Sequence, residues 1–270
     1  MKRFLSTLAV AGALVVGAAA PGWAAPSPTG SANATGYYLA LGDSLAAGYQ
    51  PGQGDDKTGG YVGGVEAAIT ASTPKTRLVN LACSGETTTT MLDGGVCTYD
   101  EGSQFDQALA FLHAHGRFTR VVTLDIGAND VQRCVSRTTG AIDPACIQTG
   151  LAAVATNLPM MLGKIHTEAP NATVVVLNYY NPFLAAYLKG LDGQKLAATS
   201  QVLAGTLNGI IAGAAAGHGA RLADIATTFH TTDLTPTLLP GVGTVPTNVA
   251  YICTYTWMCL ETDIHAEAVV

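Results

Sequence analysis

Five short apolar, β-branched runs recur along this chain, separated by longer stretches of helical pattern. The runs are GYYLAL at 36–41, TRLVNLA at 76–82, TRVVTLDI at 119–126, TVVVLNY at 173–179 and ARLAD at roughly 220–224. Helical patterns cover 60–71, 104–115, 147–167 and 194–216. The runs are continuously hydrophobic and do not alternate, so each strand is expected to be buried on both faces. Strands alternating with helices then predict an α/β fold, a parallel sheet with helices on each side. No linker, repeat or charge run follows residue 35, so no second domain is expected.

This arrangement gives meaning to three loops. Ser44 lies three residues past the first run, in YLALGDSLAAGYQP (38–51). Gly85 lies three past the second, in NLACSGETT (80–88), and Asn129 three past the third, in LDIGAND (124–130). In a parallel sheet these loops share the carboxyl edge, where α/β proteins bind ligands. Taken alone, Asp43-Ser44 ahead of Leu45-Ala46-Ala47 reads equally as an ordinary cap on a helix start.

Ester cleavage by serine needs a hydroxyl, a base for its proton, and donors for the tetrahedral oxyanion. Ser44 can supply the hydroxyl and its own N–H, Gly85 a second N–H, and Asn129 a side-chain amide. Of six histidines, His113, His115, His166, His218 and His230 sit in helical or surface-like settings. His265 lies in a polar loop, ETDIHAEA (261–268), with Asp263 close enough to orient it. Residues two apart in an extended segment point to opposite faces, so Asp263 reaches the imidazole only if the loop turns between them. Thr262, Glu261 or a backbone carbonyl near 257–260 are the alternatives.

These residues resemble the SGNH (GDSL) hydrolase family. GDSL at 42–45, NLACSGETT at 80–88, GAND at 127–130 and TDIH at 262–265 stand in that family's order, across nearly the whole chain. The likeness is strongest to secreted actinobacterial esterases and lipases, which carry three disulfides, and LNYYNPFLAAY (177–187) is similar to a segment of that group. The resemblance implies a flavodoxin-like, five-stranded, three-layer α/β/α sandwich and serine hydrolysis of carboxylic esters without a cofactor. It implies Ser44 as nucleophile, His265 as base, and Ser44, Gly85 and Asn129 as the oxyanion hole. Two departures stand out. The family places its acid three residues before the histidine, where this chain has Thr262, with Asp263 only two before. The family also continues into a helix beyond the histidine, whereas five residues follow His265 here, so that helix is expected to be short or truncated.

Composition sets the compartment. Lys2-Arg3, the apolar run from Phe4 to Ala20 and the small residues before Ala24 have the three parts of a secretory signal peptide, 1–24. The run is too short for a stable membrane anchor, and no later stretch reads as a span. Residues 25–35 form a polar, Pro/Ser-rich leader expected to be disordered, ahead of the hydrolase domain at 36–270. Without the leader peptide, 246 residues remain with a net charge of −8 and no basic cluster, which argues against nucleic acid and anionic membranes as partners. Six cysteines fall in three near pairs, which favour Cys83–Cys97, Cys134–Cys146 and Cys253–Cys259 among fifteen connectivities. None has the spacing of a zinc or thioredoxin site, so no metal is expected.

The substrate class stays open among small, lipid and acylated-carbohydrate esters, acted on by a secreted monomer. YICTYTWMC (251–259) reads as a disulfide-closed aromatic loop in which Tyr255 and Trp257 line an acyl pocket or merely cap the core. Two rivals remain: an α/β-hydrolase, whose G-x-S-x-G elbow GDSLA nearly matches, and an inactive secreted binding protein on the same scaffold.

Overall fold

A computed structural model describes residues 36–136 and 139–266. The chain divides between Ala32 and Asn33, and the fold below belongs to the second unit, Asn33–Val270. The expected signal peptide, the polar leader and the last four residues lie outside the described residues. Five strands form the sheet: β1 (Gly36–Gly42), β2 (Thr76–Asn80), β3 (Thr119–Asp125), β4 (Thr173–Leu177) and β5 (Arg221–Ala223). Their order is β2-β1-β3-β4-β5 and every pairing is parallel. This is the flavodoxin-like order, whose crossover direction reverses between β1 and β3 and opens a crevice at their carboxyl ends. The serine thus follows the first strand, an interior one, and the α/β-hydrolase alternative falls away.

Between these strands run α1 (Gly60–Ser72), α2 (Thr88–Asp93), α3 (Gln104–His115), α4 (Ala128–Gln132), α5 (Pro144–Glu168) and α6 (Gly190–Gly217), and α7 (Ile225–Thr228) and α8 (Thr247–Tyr255) follow β5. Alternate side chains of β1 enter different layers. Leu39 and Leu41 join Leu124 of β3, Phe105 of α3, Leu158 and Met161 of α5 and Leu207 of α6. Tyr38 and Ala40 meet Val62 of α1 on the opposite face. Local chemistry sets the helix starts. Ser103 caps α3 by accepting the Asp106 N–H at 3.0 Å, and Asp143 accepts those of Ala145 and Cys146 ahead of Pro144. By length and composition α5 could cross a membrane, contrary to the sequence expectation, but Val154, Leu158, Met161, Leu162 and Ile165 are buried in the sheet-side core.

The expected helices at 60–71, 104–115, 147–167 and 194–216 form with small changes at their ends. Three local readings need correction. Leu45-Ala46-Ala47 do not open a helix; residues 44–48 make turns, with Ala47 N–H donating to Asp43 O at 2.9 Å, and α1 begins only at Gly60. A hairpin, β6 (Pro236–Leu239) and β7 (Gly243–Pro246), went unrecognised because four-residue strands bounded by Pro and Gly carry little periodicity. The supposed loop at 251–259 begins inside α8, whose Val249, Ala250 and Ile252 pack with Leu239 and Val245 of that hairpin.

All three expected cysteine pairs are bonded. Cys83–Cys97 pins the loop after β2, Cys134–Cys146 ties α4 to the start of α5, and Cys253–Cys259 ties α8 to the segment leading to His265. Non-reducing peptide mapping should recover these linkages, and any crossed pair would contradict the fold. Reduction should lower stability, each short loop contributing roughly 2–4 kcal/mol in the chain-entropy model.

Candidate active site

Gly42 ends β1 with φ of 144°, a conformation glycine adopts freely. A Cβ there would lie 2.3 Å from Asp125 Oδ1 and 2.4 Å from Asp125 O. Its backbone is held by the buried Gln104 amide, which accepts the Gly42 N–H at 2.8 Å and donates to Gly42 O at 3.0 Å. Asp43 N–H donates to Asp125 O at 3.1 Å. Asp43 Oδ1 accepts the Leu45 N–H at 3.0 Å, and its Oδ2 accepts the Tyr179 hydroxyl at 2.8 Å. Asp43 thus braces the turn that carries Ser44, and Ser44, 7% exposed, opens into a small cavity. That cavity is also lined by Asn129, Tyr180, Pro182 and Ile264.

Asn129 donates from Nδ2 to Glu86 O at 2.9 Å, which ties the loop after β3 to the loop after β2 and leaves the second amide hydrogen for other use. Gly85 precedes Glu86 with φ of 91°. Asp130 accepts the Thr88 N–H at 2.8 Å and the Thr88 hydroxyl at 2.7 Å, reinforcing the same tie. Ser44 and Asn129 therefore meet in one cavity, with Gly85 one residue from the carbonyl that holds Asn129.

The loop before His265 does turn, through Thr262 at φ 56°. Asp263 Oδ1 lies 2.5 Å from His265 Nδ1 and accepts the His265 N–H at 3.0 Å. Neither Thr262 nor Glu261 takes that place. The Tyr49 ring packs 4.5 Å from the imidazole, the Tyr180 hydroxyl donates to Ile264 O at 2.5 Å, and His265 Nε2 is buried without a hydrogen-bond partner. A carboxylate on Nδ1 fixes the tautomer with a bare acceptor at Nε2 and stabilises an imidazolium formed there.

Tyr255 and Trp257 line neither this cavity nor a second, apolar one beside it. Trp257 donates its indole N–H to Gln50 Oε1 at 3.0 Å, and Tyr255 is exposed beside Tyr251. Val131, Ile147, Leu196, Leu203 and Leu207 wall the apolar cavity, which shares Ala128, Gln132, Tyr179, Tyr180 and Pro182 with the first. These tyrosines stand in LNYYNPF, where the sequence offered no direction for their side chains.

Sequence reading also passed over Asp125, a carboxyl at the end of a buried strand. It is fully buried, its Oδ1 accepts the Tyr61 hydroxyl at 2.6 Å, and its Oδ2 has no partner. Burial, and then the charge of Asp43, push Asp125 well above the usual carboxylate range; burial also raises Asp43. Two such neighbours do not both ionise readily. A carboxyl raised in the fold stabilises most below its unfolded pKa of about 4, and that contribution is lost as pH rises through the folded value. Asp125→Asn removes this dependence, so its stability relative to the parent should improve between pH 5 and pH 8 in denaturant titrations. A pH-independent difference would mean that Asp125 does not hold a proton in the fold.

Comparison with known proteins gives this geometry a lineage. Residues 40–244 match the model of the GDSL-like Lipase/Acylhydrolase family, which ends short of Asp263 and His265. Lipase 1 of Streptomyces coelicolor is 31% identical over 241 residues, covering 84% of this chain and 81% of its own. The extracellular lipase of Streptomyces rimosus is 28% identical over 72% of this chain and 82% of its own, with a TM-score of 0.49. A Parabacteroides merdae protein described as a GDSL-like lipase shares the fold at 14% identity and a TM-score of 0.50, over 83% and 94% of the two chains. With a flavodoxin-like sheet, a serine after its first strand and a matching family model over most of its length, the chain belongs to the GDSL-like lipase/acylhydrolase family, whose chemistry is ester hydrolysis.

Proposed function

We propose that this protein is a secreted serine esterase that cleaves carboxylic esters of lipids through an acyl-enzyme on Ser44. The observation that carries the reading is the Asp263–His265 pair, with Nε2 buried and unpartnered, on either side of Ile264, which lines the cavity that holds Ser44 and Asn129. His265 Nε2 takes the Ser44 proton as the hydroxyl oxygen attacks the ester carbonyl. The oxyanion receives the N–H groups of Ser44 and Gly85 and the free amide hydrogen of Asn129. His265 then returns the proton to the leaving alcohol, and water repeats the sequence to release the acid. Asp263 steadies the imidazolium in both halves.

The neighbouring apolar cavity supports an aliphatic acyl group as the part of the substrate held nearest Ser44. The Streptomyces coelicolor relative is named a lipase, which agrees with lipid esters. Secretion is supported by the leader pattern at 1–24 and by three disulfides, which persist in oxidising compartments.

A fluorophosphonate probe should label the parent protein once, at Ser44. Ser44→Ala should remain unlabelled and lose several orders of magnitude in kcat toward p-nitrophenyl esters, because serine and histidine act as a unit. Undiminished turnover in that variant would sink the reading. A chelator should leave the rate unchanged, since no step involves a metal.

Asp263→Asn keeps the shape of the side chain and removes its charge. It should lower kcat by roughly 100-fold or more with little change in KM. Near-parental kcat would leave a Ser44–His265 pair oriented by backbone alone.

A further inference from the structure

Tyr49 and Gln50 leave the Ser44 turn and run directly to the loop that carries His265. Tyr49 N–H donates to Ser44 O at 3.0 Å, and the Tyr49 ring lies against the imidazole. Gln50 is anchored by its own backbone, in a two-way exchange with Gly54 at 2.9 and 3.0 Å. Its side-chain amide then spans the far loop. Oε1 accepts the Trp257 indole N–H at 3.0 Å, and Nε2 donates to Ala266 O at 3.1 Å.

Those two partners flank the histidine. Trp257 N–H donates to His265 O at 3.0 Å, and Ala266 bridges antiparallel to Thr256. One amide therefore grips the entry and the exit of the His265 segment, 216 positions away along the chain at Ala266. Asp263 fixes the ring from within its own loop, and Tyr180 holds the carbonyl of Ile264, but neither lies on the segment that carries Ser44. Gln50 does. A reacting pair misplaced by about 1 Å can lose on the order of 100-fold in rate, so a tie between the two segments bears directly on turnover.

We propose that Gln50 is a positioning residue that locks the His265 loop onto the Ser44 turn, fixing where the imidazole stands relative to the hydroxyl. The proposal rests on His265 being the base of the reaction. Trp257 gains a role through it, as a strut for the clamp.

Gln50→Met nearly preserves volume and deletes both hydrogen bonds. With a soluble ester such as p-nitrophenyl butyrate, and sites counted by the end point of fluorophosphonate labelling, kcat per site should fall about 10- to 100-fold. KM should stay within about twofold, because Gln50 lines neither cavity beside Ser44. Combined with Asp263→Asn, the losses should be less than multiplicative, since both residues act through one imidazole. A kcat within twofold of the parent, a loss confined to KM, or losses that multiply would each overturn the clamp. Should Gln50→Met fail to fold, Trp257→Phe removes one of the two bonds and should lower kcat several-fold; an unchanged kcat there overturns the proposal equally. His265→Ala separates the two ideas. If it retains parental turnover, the catalytic reading fails; if it is inactive while Gln50→Met is not impaired, only the clamp fails.

Discussion

Gly42 against Asp125 is the contact on which the site depends. Strands β1 and β3 leave the sheet side by side, and their last residues come so close that no side chain fits at position 42. Positive φ turns the chain away at once, so Ser44 rises over the sheet edge and does not continue along it. At this end of the ladder the buried Gln104 amide engages both polar groups of Gly42, and the Cys83 N–H also donates to Gly42 O at 3.0 Å. The turn that carries Ser44 is thereby held from beneath by buried groups.

The loops above that edge are fastened mainly to one another. Asn129 and Asp130 bind the β2 loop through Glu86 O and Thr88, while Asn80 donates to Ala46 O at 2.7 Å and to Lys57 O at 2.9 Å. Gln50 reaches the His265 segment, and disulfides close three of the excursions. Ester hydrolysis asks for donors and base held within tenths of an ångström before charge develops. Hydrogen bonds between loops hold these segments together where secondary structure does not reach.

Beneath Ser44, the fold keeps two carboxyls, Asp43 and Asp125, with the hydroxyls of Tyr179 and Tyr61 on them. Burial raises both carboxyls and both phenols. Such a cluster is costly unless its members share protons and hydrogen bonds. Asp43 joins this cluster to the turn of the proposed nucleophile, since it precedes Ser44 and accepts the Leu45 N–H.

The strands, four main helices and the edge that gathers Ser44, Gly85 and Asn129 were legible in the sequence. Strand and helix periodicity is local, and parallel crossovers send every βα loop to the same side. Cysteine spacing likewise pointed to the three bonds, because short loops close most readily. The residues could not say whether Asp263 or another group meets His265, since that depended on one turn at Thr262. Nor could they distinguish Trp257 as a pocket wall from Trp257 as a strut on Gln50, or reveal Asp125 as a buried acid pressed against Gly42. Sequence by itself thus determined the order of elements and the loops that converge. Tertiary structure decided which side chains face one another, because those directions follow from turns and packing between segments up to 216 residues apart.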